Sequence, residues 1–191
     1  MHLYPNQNLT MSNIHVETDR LYLRDFEKKD AKALFEMESD PEVHRYLGNK
    51  PLTDISQLDE VIDWIHQQYR ENGIGRWICE LKTTGEIIGW CGLKIEKKIR
   101  PFEYYDLGYR FNRRFWRKGY GNESAQACLN YAFETLKWET VNAAAEQGNA
   151  GSKRIIQKLG FTQLEPFKFE GVMCNWYELQ KRDWESFLTE F

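Results

Sequence analysis

The octet Arg117–Ser124, RKGYGNES, sets two glycines one residue apart at the start of a helix-like run. Glycine lets a ligand approach the backbone without a Cβ in the way. The first N–H groups of a helix have no partner inside it and carry partial positive charge. Arg110, Arg113, Arg114, Arg117 and Lys118 crowd five cations into the nine residues before that helix. Such a turn suits an anion, and phosphate is its natural guest. A P-loop would need GxxxxGK[ST], which the chain lacks. A dinucleotide turn would need GxGxxG tight against a strand. Here Gly119-x-Gly121-x-x-Ser124 lacks the third glycine and stands several residues past Phe111. Glu146 sits where a ribose-binding acid would be, so a nucleotide-binding oxidoreductase stays open as an alternative. The plainest reading is a tight turn with a solvated basic face.

Other reactive side chains point away from chemistry. Cys79, Cys91, Cys128 and Cys174 have no CxxC or metal-knuckle spacing and lie in apolar contexts. They read as buried free thiols in a reducing cytoplasm. Cys128 is a tempting nucleophile, but it shares a helix face with Ala125, Leu129 and Ala132 and reads as core. His2, His15, His44 and His66 show no ligand spacing, so no metal is expected. A net charge of −3 argues against nucleic acid. No window approaches a membrane span and no signal peptide opens the chain, which predicts a cytoplasmic protein that does not engage membranes.

The elements that must hold the glycine turn follow from periodicity. Residues 1–13 read as an arm and 14–191 as a single domain. Alternation of Leu21 and Leu23 predicts a first strand over 15–26. A short helix follows over 28–40 with Asp30 as its cap, then one or two helical turns over 40–47. Ile55, Leu58, Ile62, Ile65 and Tyr69 mark one helix face ending near Gly73. Residues 74–82 and 87–95 read as a hairpin and 103–111 as another strand. The helix after the glycine turn leads to a strand over 139–147. A helix over 149–160 starts at Asn149 and stops at Gly160, and a last hairpin closes the chain. Strand–helix–strand across 104–147 implies one right-handed parallel crossover. The expectation is an α/β fold: a single mixed, mostly antiparallel sheet with one parallel strand pair and flanking helices. Trp77, Trp90 and Tyr105 read as strand aromatics packing the core, and His44 as a satisfied surface histidine.

Three ordered segments carry a family resemblance. WRKGYGNESAQACLNYAFE resembles the pyrophosphate loop [R/Q]-x-x-G-x-[G/A] of the GNAT N-acetyltransferases over Trp116–Gly121, with Trp in place of Arg or Gln. TDRLYLRDFEKKDAKAL resembles the opening of the branch that acetylates ribosomal-protein N-termini, the RimJ/RimL type. NAGSKRIIQKLGF resembles its N-x-x-S…G-F segment through Asn149, Ser152, Gly160 and Phe161. The resemblance implies acetyl-CoA as co-substrate, an amine acceptor, and no covalent enzyme intermediate. It implies that the parallel strands splay, so that N–H groups of Tyr109, Arg110 and Phe111 reach the pantetheine and the thioester carbonyl. The pyrophosphate is expected on the backbone of Arg117, Lys118, Gly119, Tyr120, Gly121 and Asn122. Arg113, Arg114 or Lys153 is expected at the 3′-phosphate. Asn149 is expected to hold the coenzyme, and Ser152 to give a proton to the leaving thiolate. Glu170 on the last hairpin is expected to take the amine proton through water, with Glu165 and Asp106 as weaker candidates. The acceptor is a protein N-terminus or a small amine, and the protein a monomer or homodimer. A non-catalytic acyl-CoA sensor would keep the glycine turn and Asn149 and lack a working base, so it stays open.

Overall fold

The computed structural model describes residues 13–189, so the expected arm lies outside the described residues except for Asn13. The chain runs β1 (Ile14–Glu17), β2 (Leu21–Arg24), α1 (Ala31–Glu38), α2 (Pro41–His44), α3 (Gln57–Asn72), β3 (Arg76–Leu81), β4 (Ile87–Glu96) and β5 (Tyr104–Phe111). It continues through α4 (Tyr120–Asn130), β6 (Thr140–Glu146), α5 (Ala150–Lys158), β7 (Thr162–Phe169), β8 (Val172–Gln180) and α6 (Lys181–Thr189). One eight-stranded sheet has the order β1-β2-β3-β4-β5-β6-β8-β7, and its one parallel pair is β5–β6. This is the expected mixed, mostly antiparallel sheet.

Three local expectations are corrected. The stretch 15–26 is two strands. The Thr18 N–H bonds the Leu21 carbonyl at 3.0 Å, which turns the chain at Asp19-Arg20 into a hairpin. Asp30 makes no cap bond to α1. Its buried carboxylate instead takes a fork of two bonds from Arg24, 2.8 and 2.9 Å, and one from the Glu27 N–H. α6 has no counterpart in the sequence reading. It packs through fully buried Trp184, whose indole N–H bonds Asn130 at 3.0 Å. Leu58, Ile62 and Ile65 do bury one face of α3, while Ile55 lies outside the helix and is exposed. Gly73 ends α3 with φ of +70°, the left-handed stop that the sequence implied.

Two helical layers sandwich the sheet. On the first face, α4 buries Ala125, Cys128 and Leu129 against Cys91, Leu93, Leu107 and Phe111, joined by Ile156 of α5 and Trp184. On the second face, Leu34 and Met37 of α1 and Leu58, Ile62 and Ile65 of α3 pack on Ile78, Ile87 and Trp90 of β3 and β4. The second core stops at β4. Strands alternate, so with Leu107 and Phe111 on the first face, Asp106, Gly108 and Arg110 lie on the second. By register, Asn142 and Ala144 of β6 and Trp176 of β8 share that face. Apart from an ion pair of Arg110 with Glu38 of α1, this half of the second face takes no part in the second core.

Candidate active site

The glycine turn is bound into the fold from both sides. Asn112 caps a single turn by accepting from the Arg114 N–H, and the Trp116 indole donates to the Phe111 carbonyl at 2.7 Å. Arg117 and Gly119 take φ of +61° and +86°, and α4 then begins at Tyr120. The first N–H bonded within the helix is that of Glu123, to the Gly119 carbonyl at 3.0 Å. The N–H groups of Tyr120, Gly121 and Asn122 therefore point out of the helix end, where an anion gains most. At Gly121 a Cβ would come within 2.9 Å of Ile155 Cδ1 and 3.6 Å of the Phe111 ring. That glycine lets α4, α5 and β5 converge behind the turn.

A clamp that the sequence reading missed holds the turn from outside. Glu123 accepts from the Thr18 hydroxyl at 2.6 Å and from Arg20 Nε at 2.6 Å. Arg20 also donates to the Lys118 carbonyl at 3.0 Å and lies 4.3 Å from the centre of the Tyr120 ring. The β1–β2 hairpin thus grips both the turn and the first residues of α4. Thr18 and Arg20 stood within the segment TDRLYLRDF, but nothing in the spacing joined them to a glutamate one hundred residues on.

β5 and β6 pair at one position, Asp106 opposite Asn142, and the ladder stops there. The Asn112 N–H bonds Ile88 of β4. By alternation the Arg110 N–H also faces β4, while those of Tyr109 and Phe111 face the gap toward β6. Across this gap the Tyr109 hydroxyl meets Ser152 Oγ at 3.1 Å and the Ser152 carbonyl at 3.2 Å. Burial, the largest influence, pushes the Tyr109 phenol well above its ordinary range, so it stays protonated at neutral pH. Asn149 caps α5 by accepting from the Ser152 N–H at 3.0 Å, leaving its amide nitrogen as a donor. Free strand N–H groups, a hydroxyl pair and the α4 terminus thus share one end of the sheet.

The second face carries the carboxylates. Asp106 is buried and ion-pairs with Arg76, whose guanidinium lies over Gly108 and donates to the Gly92 carbonyl. Burial raises its pKa, and Arg76 and Lys94 oppose that. Glu38, also buried, accepts from His44 at 2.9 Å, from the Trp90 indole at 3.2 Å, and from Arg110. Burial acts to raise the Glu38 pKa, yet the His44 bond and the Arg110 charge outweigh it and hold the carboxyl below its usual range. His44 is therefore a buried partner of Glu38, not a surface histidine. Tyr46 lies against the β6–α5 turn, since a Cβ at Gly148 would meet its ring at 2.9 Å. Through Arg110 and Gly148 the 38–46 segment touches both sides of the splayed pair. Glu170 is exposed at the tip of β7–β8 with φ of +45°, and Glu165 is exposed on β7.

The cations near the turn are largely engaged. Arg113 pairs with Asp40 at 3.2 Å, Arg114 with Glu86 at 2.7 Å, and Lys153 donates to the Gln147 carbonyl at 3.1 Å. Arg117 and Lys118 are exposed. Trp77 is fully buried as expected, whereas Tyr105 is exposed and stacks on Trp138 at 3.8 Å, so it is not core. Cys128 is buried, its sulfur 3.6 Å from that of Cys91, and burial pushes its pKa well up, which suits packing and not nucleophilic attack. Among the described residues no group of His, Cys, Asp or Glu could hold a metal ion, and no helix is long and apolar enough to cross a membrane.

Comparison with known proteins adds independent findings. Residues 20–162 match the family model described as acetyltransferase (GNAT) domain. The chain is 36% identical over 144 residues to the uncharacterized protein YkkB of Bacillus subtilis (strain 168), covering 75% of this chain and 82% of that protein. It is 34% identical over 145 residues to the uncharacterized N-acetyltransferase p20 of Bacillus licheniformis, covering 75% and 80%. Among solved structures, a GNAT-family acetyltransferase from Bacillus anthracis superposes with a TM-score of 0.75 at 22% identity, covering 87% of this chain and 98% of that one, a likeness of fold.

Proposed function

Because the chain belongs to the GNAT acetyltransferase family, we propose that it moves acetyl from acetyl-CoA directly onto a primary amine, of a protein N-terminus or a small molecule. The observation that carries this reading is the unzipped β5–β6 pair beside the free N-terminus of α4, bridged by Tyr109 and Ser152. In this reading the coenzyme's pyrophosphate rests on the N–H groups of Gly119 to Asn122, with Arg117 and Lys118 flanking it. The N–H groups of Tyr109 and Phe111 hold the pantetheine and the thioester oxygen, where a donor to a developing oxyanion contributes about 10²–10³-fold in rate. The Asn149 amide holds the coenzyme from α5. Arg110 contributes by its side chain, fixing Glu38 at the rim of the gap.

The neutral amine attacks the carbonyl carbon, the C–S bond breaks, and the thiolate takes a proton from the Ser152 hydroxyl. Tyr109 orients that hydroxyl, and water restores its proton. The amine proton leaves through water to Glu170. A second reading gives that task to Asp106, because it stands where the ladder opens and burial raises its pKa. The residues from 14 onward act as one domain, in the cytoplasm, as a monomer or homodimer, without nucleic acid.

Calorimetric titration with CoA, followed by thiol release from acetyl-CoA across an amine and peptide panel, tests the proposal. Tight CoA binding with an N-acetylated product supports it. CoA binding with no accepted amine would favour the acyl-CoA sensor, and NAD binding in its place the oxidoreductase. Glu170→Gln and Asp106→Asn then identify the base, since the loss should shrink as pH rises only in the residue that takes the proton.

A further inference from the structure

On the half of the second face outside the α1–α3 core, the β4–β5 connection folds back onto Phe167 of β7 and Trp176 of β8. There Arg100 enters a box of aromatic rings. Its guanidinium carbon is 4.7 Å from the centre of the Phe167 ring, 5.2 Å from Trp176 and 5.3 Å from Phe102. Tyr104 stands edge-on to Trp176 at 4.6 Å. Arg20, Arg24, Arg76, Arg110, Arg113 and Arg114 each meet a carboxylate. Among the described residues Arg100 forms no ion pair, and its buried Nε has no hydrogen-bond partner. The Tyr104 hydroxyl, on a side chain only 6% exposed, is also buried without a partner.

Two unmet donors in one aromatic cluster call for an acceptor. Rings hold a guanidinium flat and partly desolvated while leaving its N–H edge available, which suits the planar fork of a carboxylate. The nearby acids do not fill that role. Asp106 is bound by Arg76, Glu96 by Lys94 at 2.5 Å, and Glu103 by Lys97 at 3.0 Å. Burial, with the Asp106 and Glu96 charges, keeps the Tyr104 phenol protonated as a donor. The box also borders the reaction centre: Trp176 pairs with Ala144, two residues past the Asn142–Asp106 position where the parallel ladder ends.

We propose that Arg100 and the Tyr104 hydroxyl form a receptor for a carboxylate on the acceptor, so that the amine acetylated belongs to an amino-acid-like molecule. This rests on the acetyl-transfer reading and narrows its substrate class. The site selects and orients the acceptor, and the chemistry of transfer is unchanged.

The test pairs ω-amino acids, glycine through 5-aminopentanoate, with their carboxamides in the thiol-release assay. For at least one chain length the acid should show a KM about tenfold or more below its amide. Arg100→Gln should erase that difference with the KM for acetyl-CoA unchanged. Arg100→Lys, which keeps charge without the fork, should retain part of it. Calorimetric titration of the same pairs into the protein–CoA complex reads the site without turnover. If acids bind better than amides and Arg100→Gln removes the preference while no amine is acetylated, the transfer reading fails and the receptor stands. If acids and amides bind and react alike, or the preference survives Arg100→Gln, the receptor is wrong. In that case Arg100 only pins the β4–β5 connection, and Arg100→Gln would lower the melting temperature alone.

Discussion

At the scale of single residues, the hydroxyl of Ser152 and the carboxylate of Glu38 make separable claims. General acid help is worth about 10²–10⁴-fold, so Ser152→Ala should cut kcat by a factor in that range and leave acetyl-CoA affinity nearly unchanged. Tyr109→Phe removes the hydroxyl 3.1 Å away and should lower kcat less, since Ser152 keeps its own hydroxyl and loses only the group that orients it. Single-turnover rates and CoA titrations on both variants check this. Glu38 is a stability claim. Its carboxyl is held below the usual range by His44 and Arg110 against the cost of burial. A carboxylate with a depressed folded pKa contributes stability above its unfolded pKa and loses it as pH falls through the folded value. Glu38→Gln should therefore be destabilising at neutral pH, by about 3 kcal/mol if Arg110 is left unpaired. Urea midpoints of variant and wild type should converge as pH drops below the carboxylate range. A gap independent of pH would mean that packing, not charge, is what Glu38 supplies.

At the scale of elements, the sequence carried the glycine turn and the helix from Asn149, because caps, left-handed glycines and apolar periodicity act over a few residues. It did not carry what depends on distant partners. Asp30 reads as a helix cap until Arg24 is seen to take its carboxylate. His44 reads as surface until Glu38, on another helix, buries against it. The clamp of Arg20 on Glu123 and Lys118 joins a hairpin to a helix across the sheet and has no local signature. Hydrogen bonds to charged groups contribute about 1.5–3 kcal/mol each, so losing the clamp should loosen the turn measurably. Arg20→Ala should weaken CoA binding about tenfold with the fold intact, and Glu123→Ala should do the same. The double variant should fall short of the sum of the two, because the Arg20–Glu123 pair is lost in both single variants, while the Arg20 bond to Lys118 and the Thr18 bond to Glu123 are lost separately. Additive losses would show that Arg20 acts on its own. Gly121→Val addresses the packing behind the turn. Its side chain must displace Ile155 and the Phe111 ring, so CoA affinity and melting temperature should fall together.

At the scale of the whole molecule, the sheet has two working faces and one opening between them. Helices α4, α5 and α6 cover the first face, which reads as the coenzyme side. α1 and α3 pack their apolar faces on β3 and β4 and, apart from the Arg110–Glu38 ion pair, leave β5, β6 and β8 outside that core, which in the proposed reading is the acceptor side. The strand–helix–strand order foretold the single parallel pair, and the opening between its strands was implied only by the family resemblance. The half-covered second face was not foreseeable, since it depends on how far α3 reaches and on where the β4–β5 connection folds. Two substrates reaching one gap from opposite faces should meet in a ternary complex, with no acetyl group parked on the enzyme. The buried Cys128, with its pKa pushed up, agrees with that. Initial velocities with acetyl-CoA and an accepted amine both varied test this claim most directly. The account predicts intersecting double-reciprocal lines and no acetylated residue in protein quenched during turnover. Parallel lines, with acetyl on Cys128 formed and consumed at the turnover rate, would contradict it.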